Sequence, residues 1–112
     1  MSLVNEQFEF LKDVSKLINK AVEMGFVITG GELHRPPEMQ LIYVRTGRSK
    51  TMNSNHGKRC AIDLNFFKNG RLTYNLEEIR PIGIFWESLN PKNRWGGHWK
   101  NFKDVPHFER NT

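Results

Sequence analysis

The sequence predicts an α+β fold in which a small antiparallel sheet is flanked by helices. Three observations carry this. Apolar residues near the N-terminus recur at helical spacing. The stretch CAIDLNFF at residues 60–67 reads as a buried strand that runs into an Asn-Gly turn. Helical and strand-like segments then follow one another without regular βαβ alternation.

Element by element, Val4, Phe8, Leu11, Val14 or Ser15, Ile18 and Val22 mark an amphipathic helix over Asn5–Met24, with that face on the core and Gly25 as its stop. Phe26–Leu33 is β-branched and apolar and reads as a strand interrupted at Gly30–Gly31. Pro37 opens a short helix that stops at Gly47. Residues 48–55 are polar and read as a loop. After the 60–67 strand, Lys68–Arg71 is a tight turn into a second strand at Leu72–Asn75. LEEIRPIGIFWESL at 76–89 spaces Ile79, Ile82, Phe85 or Trp86, and Leu89 as a helix, with Pro81 in its first turn. The Gly-, Trp- and Phe-rich end reads as loops and short strands.

A chain of 112 residues with 38% apolar and 12% aromatic residues suits a single domain over 1–112 with one modest core. No apolar run approaches the roughly 20 residues of a membrane span. The N-terminus lacks the pattern of a secretory signal, so synthesis in the cytoplasm is expected. The one cysteine, Cys60, excludes an internal disulfide and reads as a small buried residue. A net charge of +5 favours anionic partners: nucleic acid, acidic membranes or wall polymers. The basic residues cluster at 45–59 and at 90–104, the second interleaved with Trp95 and Trp99 in the manner of single-strand nucleic-acid platforms.

The chemistry-bearing residues lie in two stretches, SNHGKRCAID at 54–63 and DVPHFE at 104–109. A catalytic zinc uses three protein ligands and a water. His56, Asp63 and His107 can supply such a set, His34 and His98 are also available, and spacing alone does not choose among them. Asp104, three residues before His107, is placed to sit beside a metal ligand without ligating.

Taken together, Ser54-Asn55-His56 through Asp63, followed by Asp104-Val105-Pro106-His107, resembles the zinc peptidase family of D-alanyl-D-alanine carboxypeptidases, VanX-type dipeptidases and phage endolysin L-alanyl-D-glutamate peptidases. Trp95-Gly96-Gly97, the Phe-Glu after His107, and GELHRPPE at 31–38 resemble it as well. The resemblance runs from about Gly31 to Glu109. It implies a Hedgehog/DD-peptidase-like zinc peptidase fold with Zn2+ on His56, Asp63 and His107. It implies Asp104 as general base and acid, and Arg35 facing the developing negative charge. Ser54 is expected to hold the substrate or the ligand loop, His98 to contact substrate or to be structural, and Trp95 to contact substrate or to act as a core lid; Glu109 is expected to orient a ligand histidine or close a turn. Many members carry glycine where this chain has Arg59, and an aspartate in the base position resembles the endolysin branch.

The function these residues imply is zinc-dependent hydrolysis of a peptide bond in bacterial peptidoglycan. An L-alanyl-D-glutamate endopeptidase of phage or prophage type, reaching the wall through a separate pore, is expected first. A D-alanyl-D-alanine carboxypeptidase is the close alternative. A non-catalytic zinc-stabilised wall-binding module and a basic nucleic-acid-binding domain rank below both.

Overall fold

The computed structural model describes residues 2–49, 54–101 and 103–112. In chain order these form α1 (Leu3–Glu23), β1 (Val27–Gly30), α2 (Pro37–Arg45), β2 (Ala61–Lys68), β3 (Arg71–Thr73), α3 (Leu76–Leu89), β4 (Asn93–Trp95), a 3-10 turn (Gly96–His98) and β5 (His107–Arg110). All pairings are antiparallel. The sheet order is β1-β2-β5-β4, and β3 pairs with the far end of β2. The expected α+β arrangement is the observed one.

Strand β2 organises the molecule because its side chains alternate. Ile62, Leu64 and Phe66 face the helices and join the core, which sends Asp63 to the opposite face. Strand β5 alternates in the same way: Phe108 enters the core and His107 turns away from it. The core is built on Phe10, Leu17, Phe66, Trp86, Trp95 and Phe108, all within 2% of full burial. Each contributes about 1.5–3 kcal/mol by leaving water. Edge-to-face contacts tie Trp86 to Phe10 and to Phe108.

Helix α1 starts where the Ser2 hydroxyl accepts the Asn5 N–H. It stops at Gly25, whose φ of +91° lets the Gly25 and Phe26 amides return to the Val22 and Ala21 carbonyls. The face it buries differs from the expected one. Glu6, Phe10, Asp13, Val14, Leu17 and Ala21 are inside, while Val4, Phe8, Leu11 and Val22 are 58–71% exposed. The reason is two acids on the inner face. Glu6 binds Arg110 and Lys92, and Asp13 accepts from the Asn93 side chain. Buried polar pairs of this kind break the apolar period, so the cleaner stripe in the sequence is the outer one.

Elsewhere the departures are small. The first strand ends at Gly30 rather than Leu33, although the Gly31 amide still bonds the Asp63 carbonyl and the Asp63 amide bonds the Glu32 carbonyl, both at 2.8 Å. Asn69 and Gly70 both take positive φ, as a tight hairpin turn requires. Pro81 lies inside α3, beyond its first turn; the helix is capped earlier, by the Asn75 side chain on the Glu78 amide. Of the loop expected at 48–55, residues 50–53 lie outside the described residues.

Candidate active site

The register of β2 and β5 makes Asp63 and His107 direct partners. Both point away from the helices. His56 reaches them from the turn that precedes β2. That turn is fixed by the Ser54 hydroxyl accepting the His56 amide at 3.2 Å, and by the His56 carbonyl accepting the Arg35 and Arg59 amides. Arg59, at the position where the resembling family carries glycine, takes φ +55°. The turn keeps its shape with a side chain in the left-handed region.

The three donors converge. His56 Nε2 lies 3.2 Å from His107 Nδ1, and each lies 3.3 Å from Asp63 Oδ1. A tetrahedral zinc site with bonds of about 2.0–2.1 Å has edges of about 3.3 Å. The far ring nitrogens fix the tautomers. His56 Nδ1 donates to the Leu33 carbonyl at 3.0 Å, and His107 Nε2 to Glu109 Oε1 at 2.7 Å. The inner nitrogens are thereby left to offer lone pairs. Asp63 Oδ1 is buried and has no hydrogen-bond partner of proper geometry despite the two rings beside it. Three lone-pair atoms facing one point call for a cation, so the donor set fits zinc. Among the described residues these three side chains are the group able to hold a metal; His34 and His98 do not join them.

Without a cation, protons take its place in the cluster. Burial works to raise the Asp63 carboxyl, but the His107 and His56 rings outweigh it and hold it well below the ordinary carboxylate range. Burial works to lower His107, but Asp63 and Glu109 outweigh it and push it up to about 9. A proton shared with the acids is one way to satisfy the cluster, and a divalent cation is the other. Glu109 is itself buried and held by the Asn55 amide and by Arg94. Its contact with the cluster runs through His107.

Asp104 Oδ2 lies 3.9 Å from His107 Nδ1, and its side chain is 37% exposed, open to a ligand. Burial, then the nearby Asp63 charge, raises its carboxyl above the ordinary value. Its place is set from beneath. The Asp104 amide bonds the Gly96 carbonyl at 3.0 Å, and a Cβ on Gly96 would stand 2.2 Å from the Asp104 carbonyl oxygen. Trp95 Nε1 donates to the Val105 carbonyl at 2.8 Å. Trp95, expected as a substrate contact, has no exposed surface, and it supports this segment from the core. Trp99 instead lies against the site, its ring 4.9 Å from that of His107. His98 turns toward Glu87, at 2.7 Å, and stacks edge-on to Trp95.

Arg35 is buried beside this cluster. Glu32 takes its Nε and Nη2, and Gln40 takes its Nη1 at 2.8 Å. Tyr43 carries the guanidinium on its ring at 4.4 Å and donates its hydroxyl to Glu32. An open cleft of about 210 Å³ is lined by Glu32, Arg35, Tyr43, Arg48, Asp63 and Asp104. A second hollow, of about 90 Å³, brings Ser54 to Arg35. Sequence reasoning missed Glu32, Gln40, Tyr43 and Arg48. The available signal was Arg35 itself, since a buried guanidinium needs acceptors within a turn or two of chain.

A profile of the D-alanyl-D-alanine carboxypeptidase family of peptidases matches residues 47–110, more than half of the chain. The chain belongs to this peptidase family. The match takes in His56, Asp63, Asp104 and His107. The solved structure of the Serratia marcescens L-Ala D-Glu endopeptidase ChiX is similar to the peptidase, with a TM-score of 0.71 and 26% identity over 89% of this chain and 79% of that one. No curated protein matches the peptidase. Among the described residues of the peptidase, no helix is long and apolar enough to cross a membrane.

Proposed function

We propose that this peptidase is zinc-dependent, acts on peptidoglycan, and cuts between L-alanine and D-glutamate of the stem peptide as a phage or prophage lysis enzyme. The observation that carries the reading is the triangle of lone-pair donors, 3.2–3.3 Å on a side, with Asp104 at its open edge. The similarity to an L-Ala D-Glu endopeptidase supports the choice of bond. The family description supports a D-alanyl-D-alanine carboxypeptidase as the second reading. Of the features behind the nucleic-acid reading, Trp99 and the basic clusters remain, while Trp95 is inside the core.

His56, Asp63 and His107 would hold the zinc, which would supply Lewis acidity toward the scissile carbonyl and an acidified water. Asp104, beside His107 and open to a ligand, is placed to take a proton from the attacking water and hand it to the leaving amine. Arg35 brings positive charge to the cleft wall, and Glu32 and Gln40 keep it rigid. Glu109 holds His107 in the ligating tautomer. Ser54 holds the turn that presents His56.

The test is to incubate zinc-loaded protein with purified sacculi and identify the released fragments by mass spectrometry. Chelated protein and Asp104→Ala serve as controls. Fragments that require both metal and Asp104 establish the activity, and their masses name the bond. Zinc binding without fragments from any wall type leaves a binding module. Failure to bind zinc removes the reading.

A further inference from the structure

We propose that Arg48, seated on Tyr43, is a carboxylate-binding group of the cleft, and that the residue released by cleavage must carry a free α-carboxylate. This rests on the peptidase reading above and adds what that reading leaves open, namely which feature of the substrate is recognised.

Two arginines line the cleft, and they differ in what they have left to offer. The guanidinium of Arg35 is buried and bonded to Glu32 and Gln40. That of Arg48 is exposed and makes no ion pair or hydrogen bond among the described residues; its one partner is the face of Tyr43, 5.0 Å from the ring centroid. Its position is built all the same. Helix α2 ends with Gly47 at φ +78°, and the Gly47 and Arg48 amides return to the Val44 and Tyr43 carbonyls. This closing motif pins the Arg48 backbone over the last turn. The Tyr43 hydroxyl is anchored on Glu32, so the ring beneath the guanidinium is fixed too. A planar fork held by an aromatic face, its N–H groups free, is suited to pair with a carboxylate.

The acids of the cleft show what charge is missing. Glu32 is neutralised by Arg35, and Asp63 belongs to the histidine cluster. Asp104 is the group that must meet the leaving nitrogen. Both bonds considered above put a carboxylate one carbon from that nitrogen. D-Glutamate linked onward through its side chain keeps its α-carboxylate, and a terminal D-alanine has one by definition. Arg48 lines the same cleft as Asp104, on the α2 side. A carboxylate there meets the cation while its neighbouring nitrogen meets Asp104.

The experiment uses zinc-loaded protein and two stem peptides that differ in one group, the α-carboxylate or the α-carboxamide of the D-glutamate. The acid is expected to be cut with a kcat/KM roughly tenfold or more above the amide, mainly through KM. In Arg48→Gln the preference collapses toward one, Arg48→Lys keeps part of it, and Arg48→Glu inverts it. Calorimetric titration of zinc-loaded Asp104→Ala with both peptides reads the same preference in Kd, without turnover. Equal cleavage of acid and amide by the wild type overturns the inference and leaves the peptidase standing, as does a preference that survives in Arg48→Gln. If every stem peptide and D-alanyl-D-alanine peptide stays intact with zinc bound, the peptidase reading fails and takes the inference with it.

Discussion

Asp63 faces His107 across the β2–β5 ladder as a direct register partner, with Asp63 Oδ1 3.3 Å from His107 Nδ1. A slip of one residue would turn every side chain of one strand to the other face. It would bury Asp63 among the helices and expose Leu64. The same pattern that fills the core with Leu64, Phe66 and Phe108 therefore assembles two of the three donors.

Because Glu109 fixes His107 through its far nitrogen at 2.7 Å, its loss should weaken the site without removing a ligand. Glu109→Gln is expected to lower zinc affinity about ten- to hundredfold, measured by competition with a chromophoric chelator. Zinc should raise the melting temperature of the wild-type protein, and His107→Ala should abolish that rise. An unchanged zinc affinity in Glu109→Gln would contradict this account of His107.

Gly96 lets the 3-10 turn pass under Asp104. A methyl group there would stand 2.2 Å from the Asp104 carbonyl oxygen, so backbone has to move. Gly96→Ala should cost about 1–3 kcal/mol in chemical denaturation. Its activity should fall further than the unfolded fraction explains, because Asp104 is displaced. Near-normal kcat in the folded fraction would show that Asp104 tolerates the shift.

The elements that the sequence revealed are those whose signals are local. Gly25 and Gly47 stop helices, Asn69-Gly70 turns a hairpin, and helix α3 occupies the expected residues. The convergence of His56, Asp63 and His107 could be anticipated because they lie in two short stretches of recognisable order. The α1 face was misread for a non-local reason: Glu6 and Asp13 are inside only because Arg110, Lys92 and Asn93 arrive there from far along the chain. Trp95, named as a substrate contact although a core lid was the other reading, lies in the core. Room for its ring comes from Gly97 nearby and from Gly83 on α3, where an added Cβ would come within 2.2 Å of the ring, and the Gly83 half of that fit is not visible from the sequence around Trp95.

That assignment of the α1 face can be checked directly. Phe10→Ala should cost about 3–5 kcal/mol, the range for a buried phenylalanine. Phe8→Ser, at a position 58% exposed, should stay within about 0.5 kcal/mol of wild type. Denaturant midpoints of the two variants decide between the faces, and the reverse order would restore the outer stripe as the buried one.

Arg59 holds φ +55° in the turn that carries His56. A side chain in that region costs about 1–2 kcal/mol relative to glycine, offset in part by the extra freedom glycine gives the unfolded chain. Arg59→Gly should therefore leave stability equal or raised by about 1 kcal/mol, with zinc affinity unchanged. A loss of zinc binding would show that the Arg59 side chain itself supports the turn.

Glu6 gives stability a defined dependence on pH. Hydrogen bonds from Arg110 and then Lys92 hold its carboxyl below the ordinary value of 4.5. A carboxyl lowered in the folded state contributes stability that is fully present above its unfolded pKa, and the contribution is lost as pH falls through the folded one. Removing the charge also strands Arg110, which is buried and already has Nη1 without a partner. Glu6→Gln should thus melt well below wild type near neutral pH, with the gap narrowing as pH drops below about 4. Thermal melts of both proteins across that range check it. A gap that stays constant with pH would mean that Glu6 stabilises the fold by packing rather than by its charge.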